Sequence, residues 1–157
     1  MGPDLPKVIV ELTKRMLMIK ASQEGATKNE ALSEREYLIL ALLAEKGQVS
    51  VSQIAEANPT VSYSTISTDI TRLWREKKMV NKTIDPDNQR VTLVELTEKG
   101  RQTAEHVKKL RDDRLATLYK ALNTSPEEEE VMIRVISRAS KYFDNLISKN
   151  GSGEPKE

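Results

Sequence analysis

The 157-residue chain has no cysteine and one histidine, His106. Without cysteine there can be no disulfide, thiolate zinc site, iron–sulfur cluster or cysteine nucleophile within the chain. A lone histidine excludes a multi-histidine metal centre built by one copy. No nucleophile-elbow sequence accompanies it to suggest a Ser–His–Asp triad. Aromatic residues make up 4% of the chain, few for a sandwich or barrel but compatible with helices. No apolar run approaches the about 20 residues that a membrane helix needs. The first residues include Pro3, Asp4 and Pro6 instead of a basic segment followed by an apolar one. Neither sign of charge dominates, since 25 Lys and Arg face 24 Asp and Glu for a net charge of +1. A phosphate loop, a dinucleotide fingerprint and a metal-ligand cluster are also missing from the sequence. The expectation is a soluble, cytoplasmic protein that is not an enzyme, with no catalytic residues, no metal and no cofactor.

What is present is helical periodicity with clear punctuation. Leu5, Val8, Ile9, Leu12, Met16 and Ile19 recur at three- and four-residue steps, the spacing of an amphipathic helix. It fades in the polar stretch from Ser22 to Glu30. Ser33 and Glu36 stand in the capping-box relation. The run from Tyr37 to Ala44 is apolar on nearly every side, as a core helix is. Gly47 ends that helix. A short helix from Val51 to Ala57 is stopped at Asn58 by Pro59. Ser62 can cap the next helix, whose inner face is Ile66, Ile70, Leu73 and Trp74. Ser64, Thr65, Ser67, Thr68, Thr71, Arg72 and Arg75 form its outer face.

The period then changes. Met79 to Ile84 and Val91 to Leu96 are rich in Val, Ile, Leu and Thr, and a polar cluster from Asp85 to Arg90 separates them. That pattern predicts a β-hairpin with a long tip. Thr97 can cap a long helix whose middle, Lys108 to Arg114, is charged enough to stand exposed. Ser125, Pro126 and Glu128 mark the start of the last helix. Met132, Val135, Ile136, Ala139, Tyr142, Phe143, Leu146 and Ile147 form its apolar stripe. The four consecutive carboxylates Glu127 to Glu130 spread around a helix start and do not converge on a metal. The tail from Asn150 to Glu157 has the composition of a disordered segment.

A short helix, a tight turn and a helix with a Ser/Thr/Arg outer face is the helix-turn-helix layout, in which the second helix lies in the major groove. A hairpin directly after it is a wing. At these residues the sequence resembles the MarR family of winged-helix regulators. The wing carries the resemblance, with Asp85-Pro86-Asp87-Asn88-Gln89-Arg90 and then Leu96-Thr97-Glu98-Lys99-Gly100. It is similar to the family pattern DP-x-D-x-R followed by LT-x-x-G. Leu32-Ser33, Ser52-Gln53-Ile54-Ala55 and Ser64-Thr65-Ile66-Ser67 with Leu73 support it. There are two departures. The second wing aspartate of the family falls at Asn88, and the glycine before the first wing strand falls at Lys78.

The resemblance implies a mostly α fold with a small β-hairpin wing, that is, a winged helix-turn-helix plus a helical dimerisation layer. Residues 1–31 would be the N-terminal helix of that layer, 32–100 the DNA-binding domain, 101–149 the C-terminal helices of the layer and 150–157 a disordered tail. It implies a sequence-specific DNA-binding regulator, a repressor by the commonest family habit. Such a protein works as a homodimer on a pseudo-palindromic site in double-stranded DNA. A small-molecule effector that releases DNA is a further partner implied by the family, and no membrane is involved. Ser62, Tyr63, Ser64, Thr65, Ser67 and Thr68 would read bases or bind phosphate, and Arg72 would hold a phosphate or a base edge. Lys77 and Lys82 would contact the DNA backbone, and Arg90 would enter the minor groove.

Charge argues the other way. Residues 60–96 hold six basic side chains (Arg72, Arg75, Lys77, Lys78, Lys82, Arg90) and five acidic ones (Asp69, Glu76, Asp85, Asp87, Glu95), a weak bias for a DNA-binding domain. The DNA reading therefore requires the acids to face away from the surface that Arg72, Lys82 and Arg90 share. The alternative is a winged helix that binds another protein and no DNA.

Overall fold

The computed structural model describes residues 4–24 and 32–151. Most of the polar stretch after the first helix, and the tail beyond residue 151, lie outside the described residues. The element order is α1 (Leu5–Glu24), α2 (Glu34–Lys46), β1 (Val49–Ser50), α3 (Val51–Glu56), α4 (Tyr63–Arg75), β2 (Val80–Ile84), β3 (Thr92–Leu96), α5 (Glu98–Leu122) and α6 (Pro126–Gly151). The chain divides into two units, Met1–Ser33 and Glu34–Glu157.

The first unit contains α1. Its apolar residues Leu5, Ile9, Leu12, Met16 and Ile19 are all exposed within this chain. Glu11 and Arg15 pair one turn apart at 3.0 Å.

In the second unit α2, α3 and α4 close over a small sheet. Ile39, Leu40 and Leu43 of α2, Ile54 of α3, and Ile66, Ile70 and Leu73 of α4 meet Val80 and Val94 of the strands, all essentially without solvent exposure. Burying each such side chain contributes about 1.5–3 kcal/mol, so this cluster is what sets the orientation of α4. The sheet order is β1–β3–β2, antiparallel throughout, with Val80 opposite Leu96, Lys82 opposite Val94 and Ile84 opposite Thr92. The expected hairpin is there. The third strand, β1, has two residues and was not expected; it pairs Val49 with Val94 and Ser50 with Leu93.

The ends of the helices follow local chemistry. Ser50 and Gln53 form a reciprocal capping box on α3. Ser62 caps α4 and Thr97 caps α5, each accepting from the amide three residues on. At α6 the Ser125 amide donates to Glu128 at 2.8 Å, and the Glu128 amide donates back to the Ser125 hydroxyl at 3.3 Å. Gly47, at φ 79°, ends α2 in the left-handed region, where a residue without a Cβ carries no steric cost. α6 continues to Gly151, slightly past the end that composition suggested, as helix termini commonly do.

α5 and α6 differ from the rest. Along α5 only Gly100 and Ala104, in the first two turns, are buried. The charged middle of α5 is exposed or half-buried, as its sequence predicts. On α6 the stripe that includes Val135, Ile136, Tyr142, Phe143, Leu146 and Ile147 is exposed along its whole length.

Candidate nucleic-acid interface

α3, the turn from Ala57 to Ser62, α4 and the β2–β3 hairpin follow one another without interruption. The turn is fixed by its own hydrogen bonds. The Asn58 side-chain amide donates to the Ile54 carbonyl at 2.8 Å, and the Val61 amide donates to the Asn58 carbonyl at 3.0 Å. These bonds hold α3 and α4 in a fixed relation, and α4 turns its outer face to solvent.

Ser62 is the cap, and its hydroxyl is occupied. It accepts from the Thr65 amide at 3.2 Å and bonds the Thr65 and Ser64 hydroxyls at 2.8 and 3.1 Å. Tyr63 and Ser64 are exposed; Thr65 and Ser67 are half-buried. The Thr68 hydroxyl donates to the Ser64 carbonyl and the Thr71 hydroxyl to the Ser67 carbonyl, both at 2.9 Å. Ser67, Thr68, Thr71, Arg72 and Glu76 line a shallow depression of about 280 Å³ on this face.

Beneath that face lies an ionic network that sequence reasoning missed. Glu36 and Asp69 are each 1% exposed. Asp69 accepts from Arg35 at 2.7 Å and from Arg72 at 3.4 Å; Glu36 accepts from Lys77 at 2.7 Å and from Arg72 at 3.4 Å. Two buried carboxylates are thus met by three cations, which burial requires. Arg72 bridges the pair. The hydrogen bond from Arg35 and the charge of Asp69 raise the guanidinium of Arg35 above its ordinary value. One clue was in the sequence. Asp69 sits between Ile66, Ile70 and Leu73 on the inward stripe of α4, where a carboxylate demands a cation.

The expected DNA contacts are therefore placed unequally. Tyr63, Ser64 and Thr68 stand on the open face, with Ser67 half-buried beside them. Ser62 and Thr65 are engaged in the cap. The guanidinium of Arg72 reaches two carboxylates through Nη1 and retains about 37% of its side-chain exposure, whereas Lys77 keeps 18%. Lys82 lies over the Trp74 ring, 5.2 Å from its centroid, with Arg75 over the same ring at 5.1 Å. Trp74 is half-buried, so it is a bracket between α4 and the wing as much as a core residue.

Arg90 stands exposed at the tip of the wing and makes no ion pair among the described residues. Its amide donates to the Asn88 side-chain oxygen at 3.2 Å, and the Asp87 amide donates to Asp85 at 2.9 Å. The tip is therefore shaped by two side-chain turns. At the base of the wing, Lys78 takes φ 57°, the conformation a glycine adopts freely at that position of the pattern. Gly100 packs its backbone directly against the Met79 carbonyl.

No family model matches the chain. The uncharacterized HTH-type transcriptional regulator YdgJ of Bacillus subtilis (strain 168) is 26% identical over 115 residues, 73% of this chain and 68% of that protein. Streptococcus pneumoniae FabT, solved in complex with DNA, superposes with a TM-score of 0.77 at 19% identity, covering 90% of this chain and 96% of FabT. A mutant MarR from E. coli superposes with a TM-score of 0.63 at 14% identity, covering 88% of this chain and 98% of MarR. The chain shares the winged-helix fold of these structures.

Proposed function

We propose that this chain is a MarR-type transcriptional regulator that binds double-stranded DNA through α4 and the wing, and does so as a homodimer on a pseudo-palindromic site. The observation that carries the reading is the polar, solvent-facing α4, held rigidly by a buried core and followed at once by a hairpin with Arg90 at its tip. A fold shared with a DNA-bound protein, FabT, and a relative named as a transcriptional regulator support it. The homodimer is supported by the apolar stripe of α6, which no part of the described unit covers; a contiguous apolar face of that length calls for a partner. Two such subunits would set their recognition helices about 34 Å apart, one turn of the duplex. Binding there would regulate by excluding or repositioning polymerase, and a small-molecule effector would act by favouring a different half-site spacing.

One observation favours the protein-interaction reading instead. Arg72, Lys77 and Lys82, three of the basic residues of the interface, are already engaged inside the fold. Selection of bound duplexes from a random pool, at low and near-physiological salt, separates the two. An enriched inverted repeat with half-sites one helical turn apart supports the DNA reading. Absence of salt-dependent binding to any duplex moves the weight to a protein partner.

A further inference from the structure

The exposed face of α4 lacks the side chains that read guanine. From Tyr63 to Thr71 the sequence is YSTISTDIT, with no Arg, Lys, Asn or Gln. Bidentate recognition of guanine needs Arg or Lys, and that of adenine needs Asn or Gln. The first arginine of the helix, Arg72, is bound to the buried Glu36 and Asp69. The next, Arg75, lies over Trp74.

What remains has a definite chemistry. The hydroxyl protons of Thr68 and Thr71 are committed to the Ser64 and Ser67 carbonyls. A threonine held this way offers outward only its methyl group and the acceptor lone pairs of its oxygen. Glu76, on the rim of the same depression, adds acceptors and no donor. At Thr68 and Thr71 the outward chemistry is therefore apolar methyl plus hydrogen-bond acceptor, with the donors of Ser67 and Arg72 at the margins of the same depression. Cytosine and adenine both offer an amino donor to such acceptors, but only the A·T pair sets a C5 methyl, that of thymine, beside the donor, so the threonine methyls are what single it out.

Resting on the DNA-binding reading above, we infer that Thr68 and Thr71 are specificity-determining residues. They select A·T pairs in the major groove of each half-site through thymine methyl and adenine amino groups, and α4 makes no guanine-directed contact.

The test uses the full-length protein and the duplex that selection yields. Thymines of the half-site are replaced one at a time by deoxyuridine, which removes only the C5 methyl, and guanines by 7-deazaguanine, which removes only N7. Binding is measured at fixed salt. The expected result is a loss of about fourfold in affinity for each contacted methyl, with no effect of 7-deazaguanine under α4. Thr68→Ser keeps the hydroxyl and removes the methyl, so it should make the uridine substitution opposite it silent. Salt-dependent binding that ignores every uridine, or that falls tenfold on loss of a guanine N7 under α4, overturns the inference and leaves the DNA-binding reading intact. Failure to bind any duplex at low salt overturns both.

Discussion

Gly100, in the first turn of α5, lies so close to the main chain of Met79 that a Cβ built on it would stand 1.9 Å from the Met79 carbonyl oxygen. The same carbonyl accepts from the Thr97 amide at 3.0 Å, and the Thr97 hydroxyl donates to the Lys78 carbonyl at 2.7 Å. The Leu-Thr-x-x-Gly segment is thus a clasp that ties the start of α5 to the base of the wing. Gly100→Ala must force backbone apart, and we expect a loss of roughly 2–3 kcal/mol. A urea midpoint unchanged by that substitution would show the clasp to be looser than its geometry.

Lys78 carries the opposite prediction. It holds φ 57° with a Cβ, where a left-handed conformation costs roughly 1–2 kcal/mol. Its carbonyl, which Thr97 uses, is backbone and survives substitution. Lys78→Gly should raise stability by about 1 kcal/mol, read as a higher thermal or urea midpoint. A fall would mean that the lysine side chain contributes more than its backbone costs.

The buried ionic network gives a third. Asp69→Ala would leave Arg35 and Arg72 facing a buried site with one carboxylate missing. Breaking a buried pair from one side costs about 3–5 kcal/mol, and partial exposure of both arginines places the expectation at the lower end. Arg72→Ala should also lower stability with no DNA present. Were Arg72→Ala to weaken DNA binding while leaving the urea midpoint unmoved, Arg72 would be a contact residue and not a brace.

Arg90 has no such internal duty. Its replacement by alanine should leave the urea midpoint unchanged, weaken DNA binding and reduce the preference for A·T-rich flanks, where a narrow minor groove concentrates negative potential. Unchanged affinity and flank preference in a binding assay would remove the wing tip from the interface.

At the start of α6, a hydrogen bond from its own backbone amide, and then one from the Ser125 hydroxyl, hold the Glu127 carboxyl below the usual carboxylate range. A carboxylate lowered by folding stabilises the fold above its unfolded value, near 4.5, and that contribution fades as pH falls through its folded value. Wild type should therefore exceed Glu127→Gln in thermal midpoint at pH 6, and the two curves should converge as pH falls below 4.5. Parallel curves across that window would assign the helix start to the other carboxylates.

How much of this was legible in the sequence depends on the distance over which the causes act. Ser62, Thr97 and Ser125 announce helix starts because a cap acts over three residues. The β2–β3 hairpin shows because alternation and a polar tip lie together. β1 did not, since two residues cannot display a period; only its pairing with β3 makes it a strand. Apart from the Asp69–Arg72 pair within α4, the network of Arg35, Glu36, Asp69, Arg72 and Lys77 joins residues 34 to 41 positions apart, and nothing local encodes those links. Half of it was readable, as an acid on an apolar stripe. The partners were not, which is why Arg72 and Lys77 first look like residues free to meet phosphate. Lys78 shows a third case, where the backbone keeps the left-handed turn that the family pattern assigns to glycine although the residue is another.

Trp74 is the chain's one tryptophan, and its ring lies under a cation from the helix and another from the wing strand. Indole emission is sensitive to nearby charge. Any event that draws Arg75 or Lys82 away, such as a phosphate arriving at either, would alter the optical signal of a single known position. The fold thus contains its own fluorophore at the seam between α4 and the wing, and binding of a duplex there can be followed in the unlabelled, unaltered protein.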